Sequence, residues 1–164
     1  MSQEPMRKQH GFSLIELLIV VAIILIIASI AIPNLLRSRI AANEASAVGS
    51  LRTINTAEVT YASTYPSLGY SADLNSLAGS SCSSPTSSAA CLIDATLSAA
   101  TSSASPGKSG YYFTYTASST LGYTLTGQPH KPGSTGNKFF YTDGTAVIHY
   151  NLGSAATSSS AAIQ

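Results

Sequence analysis

Charge is scarce in this sequence. Only 9% of the 164 residues are Asp, Glu, Lys or Arg, against about a quarter in ordinary soluble proteins. Eight basic and seven acidic residues leave a formal net charge of +1 at pH 7. This balance gives little electrostatic reason to bind nucleic acid, and we predict no specific nucleic-acid partner. Lys108, Lys131 and Lys138 could gather on one face, but three lysines more often keep loops soluble.

The sequence also lacks the residue groupings of catalytic and metal sites. It has no phosphate-binding loop and no pair of thiols at redox spacing. His130 and His149 have no motif partner nearby. Asp73, Asp94 and Asp143 are too scattered for a calcium-binding loop. We therefore predict no enzymatic activity, no metal site and no cofactor.

A long apolar run near the N-terminus organises the chain. Residues 12–32 are hydrophobic except for Ser13, Glu16 and Ser29, and as a helix they would extend about 31 Å. That length matches the roughly 30 Å hydrocarbon core of a bilayer, so we predict a membrane-spanning helix. Glu16 is unusual there, because a carboxylate in an apolar span is costly and is by default functional.

Around this run the sequence resembles the type IV pilins and the related pseudopilins. The resemblance covers residues 7 to about 60, and its strongest features are a basic leader, a Gly-Phe pair, a glutamate-containing stretch and a proline: Arg7, Lys8, Gly11, Phe12, Leu14, Ile15, Glu16, Leu17, Leu18 and Pro33. It implies that a prepilin peptidase cuts between Gly11 and Phe12 and that the new N-terminus of Phe12 is methylated.

The resemblance also implies how subunits assemble. Glu16 would pair with the N-terminal amine of Phe12 in a neighbouring subunit, and Pro33 would let the helix stretch in a fibre. An amine and a carboxylate attract strongly in a low dielectric, and each is costly to bury alone. Two other interpretations stay open. Glu16 could extend to the lipid headgroups, or the run could be an ordinary secretory signal cut after Ser29 and Ala31.

Orientation in the membrane follows from the resemblance rather than from charge. Arg7 and Lys8 flank one side of the span, and Arg37 and Arg39 flank the other, so the positive-inside rule does not decide. The resemblance places the leader in the cytoplasm and residues beyond about 35 outside. Without residues 1–11 the chain keeps six basic and six acidic residues and is formally neutral.

Only two cysteines occur, Cys82 and Cys91, in a loop rich in Ser, Ala and Pro. In an exported domain such a pair forms a disulfide more often than a metal site. The chain-entropy model gives such a crosslink about 2.7 kcal/mol at most. A pair of free thiols is the alternative.

The helix is predicted to continue beyond the membrane to about Thr64. Its apolar residues recur at helical spacing: Leu36, Ile40, Ala47, Leu51, Ile54, Tyr61 and Tyr65. Pro33 removes one backbone hydrogen bond and should kink or locally melt the helix. The alternative is that Pro33 ends the membrane helix at the interface.

For residues 66–164 the sequence predicts a variable loop followed by a sheet. Residues 66–109 are rich in small polar residues, with a short helical turn possible from Asp73 to Leu77. Alternating residues then predict four antiparallel strands, at 111–116, 122–126, 138–141 and 146–150. Ser118 to Thr120 would turn the chain between the first two, and Asp143-Gly144 is a hairpin signal between the last two. Residues 154–164 are expected to be frayed.

The predicted fold class is α+β, with a long N-terminal helix packed on a small antiparallel sheet of three to four strands. We divide the chain into a leader (1–11, removed), a helix (12–64, with the span at 12–32) and a head (65–164). The function predicted is a structural subunit of a type IV pilus, with prepilin peptidase, the inner membrane and further copies of the chain as partners. A pseudopilin of a type II secretion system is the alternative, and a secreted binding protein with an ordinary signal is a third.

Overall fold

A computed structural model describes residues 12–79, 82–104, 107–118 and 122–163. In chain order the elements within these residues are α1 (Leu14–Thr64), α2 (Leu74–Leu77), α3 (Ala95–Ala99), β1 (Tyr111–Ser118), β2 (Gly122–Pro129), β3 (Lys138–Asp143), β4 (His149–Leu152) and β5 (Ala161–Ala162). The predicted α+β class, a long N-terminal helix packed on an antiparallel sheet, is confirmed.

The chain forms two compact units, Met1–Arg37 and Ser38–Gln164. In the first unit the described residues form the apolar part of α1, which continues through Pro33. The second unit contains the remainder of α1, both short helices and the sheet.

The sheet has five strands in the order β1-β2-β3-β4-β5, and every neighbouring pair is antiparallel. The predicted count of three to four strands is therefore one or two short. The missed strand is β5, in a segment expected to be frayed. Ala161 and Ala162 pair with Tyr150 and His149, and the Ile163 N–H donates to the Ile148 carbonyl at 2.8 Å. Two alanines carry no alternating pattern, so side chains gave no signal for this strand.

The connection between β3 and β4 is longer than predicted. Asp143 Oδ1 accepts hydrogen bonds from the N–H and hydroxyl of Thr145 at 2.9 and 2.6 Å. The Ala146 N–H donates to the Asp143 carbonyl at 2.8 Å, and Ala146 has a φ of 59°. This side-chain turn at Asp143 delays the strand, which begins at His149 rather than at residue 146. The turn predicted at residues 118–120 lies, apart from Ser118, outside the described residues.

The second half of α1 supplies one wall of the core. Its fully or nearly fully buried positions follow a spacing of three and four residues: Ala47, Leu51, Ile54, Glu58 and Tyr61. All of these except Glu58 belong to one hydrophobic cluster with side chains of both short helices and three strands: Leu77, Leu97, Phe113, Leu125 and Phe140. The apolar stripe was predicted to begin at Leu36, but Leu36 is 45% exposed and burial begins at Ala47.

Two buried polar side chains of α1 bind the sheet and the following loop. Asn55 donates to the Thr142 hydroxyl at 3.0 Å and accepts from the Tyr123 hydroxyl at 2.8 Å. Glu58 has no exposed surface. It accepts from the N–H and hydroxyl of Ser71, at 3.0 and 2.5 Å. The polar side-chain atoms of Asn55 and Glu58 thus all have partners, as a low-dielectric interior favours.

Tyr115 of β1 joins the hydrogen-bonded group formed by Glu58 and Ser71, which we call the Glu58 cluster. Its hydroxyl donates to the Ser71 carbonyl at 2.9 Å, and its ring stacks on Tyr123 with centroids 5.6 Å apart. Burial raises the pKa of Tyr115 and of Tyr123 well above the ordinary value, so both rings stay neutral. The cluster connects α1, the loop after it and two strands.

Cys82 and Cys91 form the predicted disulfide. The loop that it closes is held at two further points. The Tyr61 hydroxyl of α1 donates to the Ser87 carbonyl at 2.7 Å, and the Ala90 N–H donates to the Ser76 carbonyl at 2.9 Å. The loop is therefore attached to α1 and to α2.

Removing this crosslink should destabilise the head. We expect the double variant Cys82→Ser/Cys91→Ser to lower the free energy of unfolding by about 2 to 3 kcal/mol. Urea unfolding of the full chain in detergent checks this, with tyrosine fluorescence as the signal, because the chain has nine Tyr and no Trp. Ser84→Ala, an exposed change in the same loop, is the control. A double variant with the same midpoint as that control would contradict the prediction.

Candidate functional site

The start of α1 places a carboxylate over its own first turn. The Ser13 N–H donates to Glu16 Oε2 at 3.0 Å, and the Leu17 N–H donates to the Ser13 carbonyl at 3.2 Å. The first N–H groups of a helix have no partner within the helix, and a glutamate at the third position can reach back to them. The negative charge also lies at the positive end of the helix dipole.

This capping contact was not predicted, although Ser13-Leu14-Ile15-Glu16 fits the Ser-x-x-Glu pattern of a helix start. It occupies one carboxylate oxygen. Within the described residues Oε1 of Glu16 has no hydrogen-bond partner. Glu16 is exposed and Phe12 is 80% exposed. The carboxylate can therefore cap its own helix and still accept a second donor.

Beyond Glu16 the helix surface is apolar and uncovered. One helix among the described residues, α1, is long and apolar enough to cross a membrane, and none of its most apolar 18-residue window is buried. Most large side chains from Leu14 to Leu35 are about half exposed or more. The Ser29 hydroxyl donates to the Ile26 carbonyl at 2.8 Å, so this polar group is satisfied inside the helix.

Of two further predicted site residues, Pro33 lies within the described structure and Gly11 does not. Pro33 lies inside α1 and has no N–H to donate to the Ser29 carbonyl; a kink there stays a prediction. Gly11, on the leader side of the expected cut, lies outside the described residues. The processing role of Gly11 and Phe12 therefore also stays a prediction.

Two of the three scattered aspartates of the head cap short helices, and the third, Asp143, forms the turn before β4. Oδ1 of Asp73 accepts from the Ser76 N–H at 2.7 Å at the start of α2, and Asp94 accepts from the Leu97 N–H at 2.8 Å at the start of α3. The turn at Asp73 was predicted, whereas α3 was not, although an aspartate before helix-forming residues is a start signal. In the described part of the chain no group of three His, Cys, Asp or Glu residues could hold a metal ion.

Two of the three lysines considered for nucleic-acid binding are in ion pairs. Lys108 Nζ lies 2.7 Å from Asp94, and Lys138 Nζ lies 3.3 Å from Glu44. The hydrogen bond from Lys108 holds the pKa of Asp94 below its ordinary value. Lysines neutralised in this way contribute little to a basic surface.

The N-terminal segment matches a known family. The family model described as the prokaryotic N-terminal methylation motif matches residues 6–32. This range includes Gly11, Phe12 and Glu16, and it covers the apolar start of α1. The protein is thus one of those that carry this motif.

A relative gives the more particular likeness. The type IV wide pilus major component PilA4 of Thermus thermophilus is 62% identical over 39 residues, which are 24% of this chain and 30% of that protein. Over its N-terminal region the chain is therefore similar to a type IV pilin. The match spans less than a third of the relative's length. No solved structure matches the chain.

Proposed function

We propose that this protein is a structural subunit of a type IV pilus, polymerised through its N-terminal helix into a surface fibre of identical copies. The observation that supports this most is an uncovered apolar surface on α1 with a single carboxylate, Glu16, at its start. An apolar surface of this extent is not stable in water. A bilayer would cover it before assembly, and neighbouring copies of α1 would cover it in the fibre.

In this proposal the chain is processed before it assembles. Prepilin peptidase cuts between Gly11 and Phe12, residues 1–11 are lost, and the new N-terminus is methylated. Residues 12–32 anchor the subunit in the inner membrane, within a helix that extends to residue 64. Residues 65–164 form a head on the outer side, which becomes the surface of the extracellular fibre.

The geometry at Glu16 is compatible with a role in assembly. Oε2 already receives the Ser13 N–H, so capping leaves Oε1 for a donor from another copy. The cationic amine of a processed Phe12 is such a donor. A buried amine and a buried carboxylate are each costly alone, and pairing between copies relieves both costs.

Processing is tested at Gly11. Glycine has no side chain, and it should fit best where a peptidase must approach the backbone closely. We expect Gly11→Val to accumulate as uncut precursor in the membrane, with Gln3→Ala in the same leader as the matched control. Mass spectrometry of the purified protein checks this. Normal mature protein that starts at a methylated Phe12 in Gly11→Val would refute the cut site.

The wider proposal is tested by imaging cells with and without the chain. Loss of surface fibres in the deletion strain supports a pilus, which the similarity to a pilus component of Thermus thermophilus also favours. A secretion defect without loss of fibres indicates the pseudopilin alternative. A mature N-terminus near Ala31 indicates an ordinary signal and overturns the proposal.

A further inference from the structure

The outer edge of β1 is protected along only part of its length. β1 is the first strand of the sheet and pairs on one side with β2. Near its start the His130 N–H donates to the Gly110 carbonyl, towards β2. The Phe113 N–H donates instead to the Ala100 carbonyl at 2.7 Å, away from β2. Because peptide groups alternate along a strand, those of Tyr115 and Ala117 also point away from β2.

The peptide groups nearer the start of β1 have partners on this edge. Lys108 and Tyr111 exchange backbone hydrogen bonds at 2.8 and 3.0 Å, and Ala100 covers Phe113. For Tyr115 and Ala117, the part of the chain that the structure describes supplies no backbone partner on this side. The free edge is therefore the stretch from Tyr115 to Ala117.

Nothing in the sequence of this stretch discourages pairing. Edge strands are usually protected by charged side chains, prolines or bulges. Residues 114–118 contain no charge and no proline, and their register with β2 is unbroken. The side chains of Thr114, Thr116, Ala117 and Ser118 are exposed. An uncharged edge without a bulge and with free N–H and C=O groups accepts an extended strand.

We propose that this edge docks the same edge of a second copy of the chain. In an antiparallel pair Tyr115 of each copy would face Ala117 of the other, so that two peptide groups per copy exchange four hydrogen bonds around an axis at Thr116. The edge is self-complementary, and with no charge in residues 114–118 two copies approach without repulsion. A few paired residues bury far less than the roughly 1,000 Å² of a stable interface. One such contact between two copies is therefore weak. Many such contacts made together, between two arrays of heads, would hold the arrays to each other.

This contact differs from the one that would build a fibre. The pairing of two copies does not rest on the proposed function, whereas the bundling of fibres does. Pairing of identical edges is two-fold and closes on itself, whereas a fibre needs a contact that does not close. Contact at the β1 edge would therefore join chains that belong to different fibres, or chains that have not assembled. Its natural result is lateral bundling.

A cysteine at the axis tests the pairing. Across a non-hydrogen-bonded antiparallel pair the Cα atoms are about 4.5 Å apart, within the roughly 4.4–6.8 Å range of disulfides. We expect Thr116→Cys, purified as the full chain in detergent and mildly oxidised, to form a crosslinked dimer at several times the yield of Leu152→Cys. Leu152 is the matched control, since it is 64% exposed and lies on β4. Equal yields from the two variants would overturn the proposal.

Two second-site changes show whether the edge itself is responsible. Ala117→Pro removes an outward N–H that β2 does not use, and edge strands tolerate proline. Combined with Thr116→Cys, it should abolish the dimer while mass mapping still finds Cys82 linked to Cys91. Should this proline prevent folding, Thr114→Lys/Ser118→Lys places like charges opposite each other across the axis at exposed positions. Dimer that persists at full yield in a folded variant of either kind overturns the proposal.

Discussion

Cells that carry Glu16→Ala should contain processed, membrane-inserted subunit and few or no fibres. Removing a carboxylate from an apolar segment should not hinder insertion, and the second compact unit, Ser38–Gln164, should fold unchanged. Assembly should suffer, because each added subunit would bury an amine without its partner. Loss of one member of a buried ion pair costs about 3 to 5 kcal/mol, which corresponds to about a hundredfold or more in association.

The capping contact at Ser13 makes a second variant necessary. Glu16→Ala removes both the charge and the acceptor of the Ser13 N–H, which is bound at 3.0 Å. Glu16→Gln keeps a carbonyl oxygen for the cap and removes only the charge. If pairing with an amine is what assembly needs, Gln should be as deficient in fibres as Ala.

Fibre counts by electron microscopy, normalised to the subunit in the membrane fraction, measure both variants. Ser29→Ala is the matched control, because it also removes a polar group from the apolar part of α1. The Ser29 hydroxyl already has a partner within the helix, the Ile26 carbonyl. Normal fibres from Glu16→Gln would show that the cap suffices. Normal fibres from Glu16→Ala would refute the role of Glu16 in assembly. They would favour the alternative in which Glu16 only extends to the lipid headgroups.

Glu58→Ala should lower the free energy of unfolding of the head by about 2 to 4 kcal/mol. The change leaves the Ser71 N–H without its acceptor, and Ser71 is only 1% exposed. The Ser71 hydroxyl loses its shortest hydrogen bond and keeps only longer contacts, to the Asp73 carbonyl at 3.1 Å and the Tyr115 hydroxyl at 3.3 Å. It also opens a cavity beneath Tyr115, whose hydroxyl donates to the Ser71 carbonyl. Both effects destabilise the folded state.

Two further variants separate the loss of the acceptor from the opening of the cavity. Glu58→Gln keeps the shape and one acceptor oxygen, and we expect it to cost less than alanine. Asp73→Asn is the control, because Asp73 is an exposed carboxylate with a backbone partner and asparagine caps helices almost as well. Urea unfolding of the full chain in detergent gives the midpoints. A Glu58→Ala midpoint equal to that of Asp73→Asn would refute the role of the buried carboxylate.

The elements with strong periodicity were predictable. α1 ends at Thr64, where Tyr65-Pro66 was expected to stop it, and β1, β2 and β3 begin where the alternation begins. The core positions Leu51, Ile54 and Tyr61 also follow from helical spacing. In these segments the side-chain pattern and the tertiary contacts agree, so local reasoning was sufficient.

The polar contacts were not predictable in the same way. Glu58 has its partner 13 residues away, in a loop without any pattern, and only the fold brings the two together. β5 consists of two alanines and is specified by its neighbour β4. The cap at Glu16 is different, because its pattern is local and could have been identified from Ser13 and Glu16 alone.

The attachments of the loop after α1 bear on how long the head would survive among extracellular proteases. A protease cleaves chain that can leave the fold and extend, and long segments of small polar residues are its usual targets. Here such a segment is interrupted by Ser71 bound to Glu58, by caps at Asp73 and Asp94, and by the crosslink of Cys82 and Cys91. Among the described residues between Ser71 and Asp94, little chain could open without unfolding the core, so a composition typical of a cleavable linker does not here predict rapid cleavage.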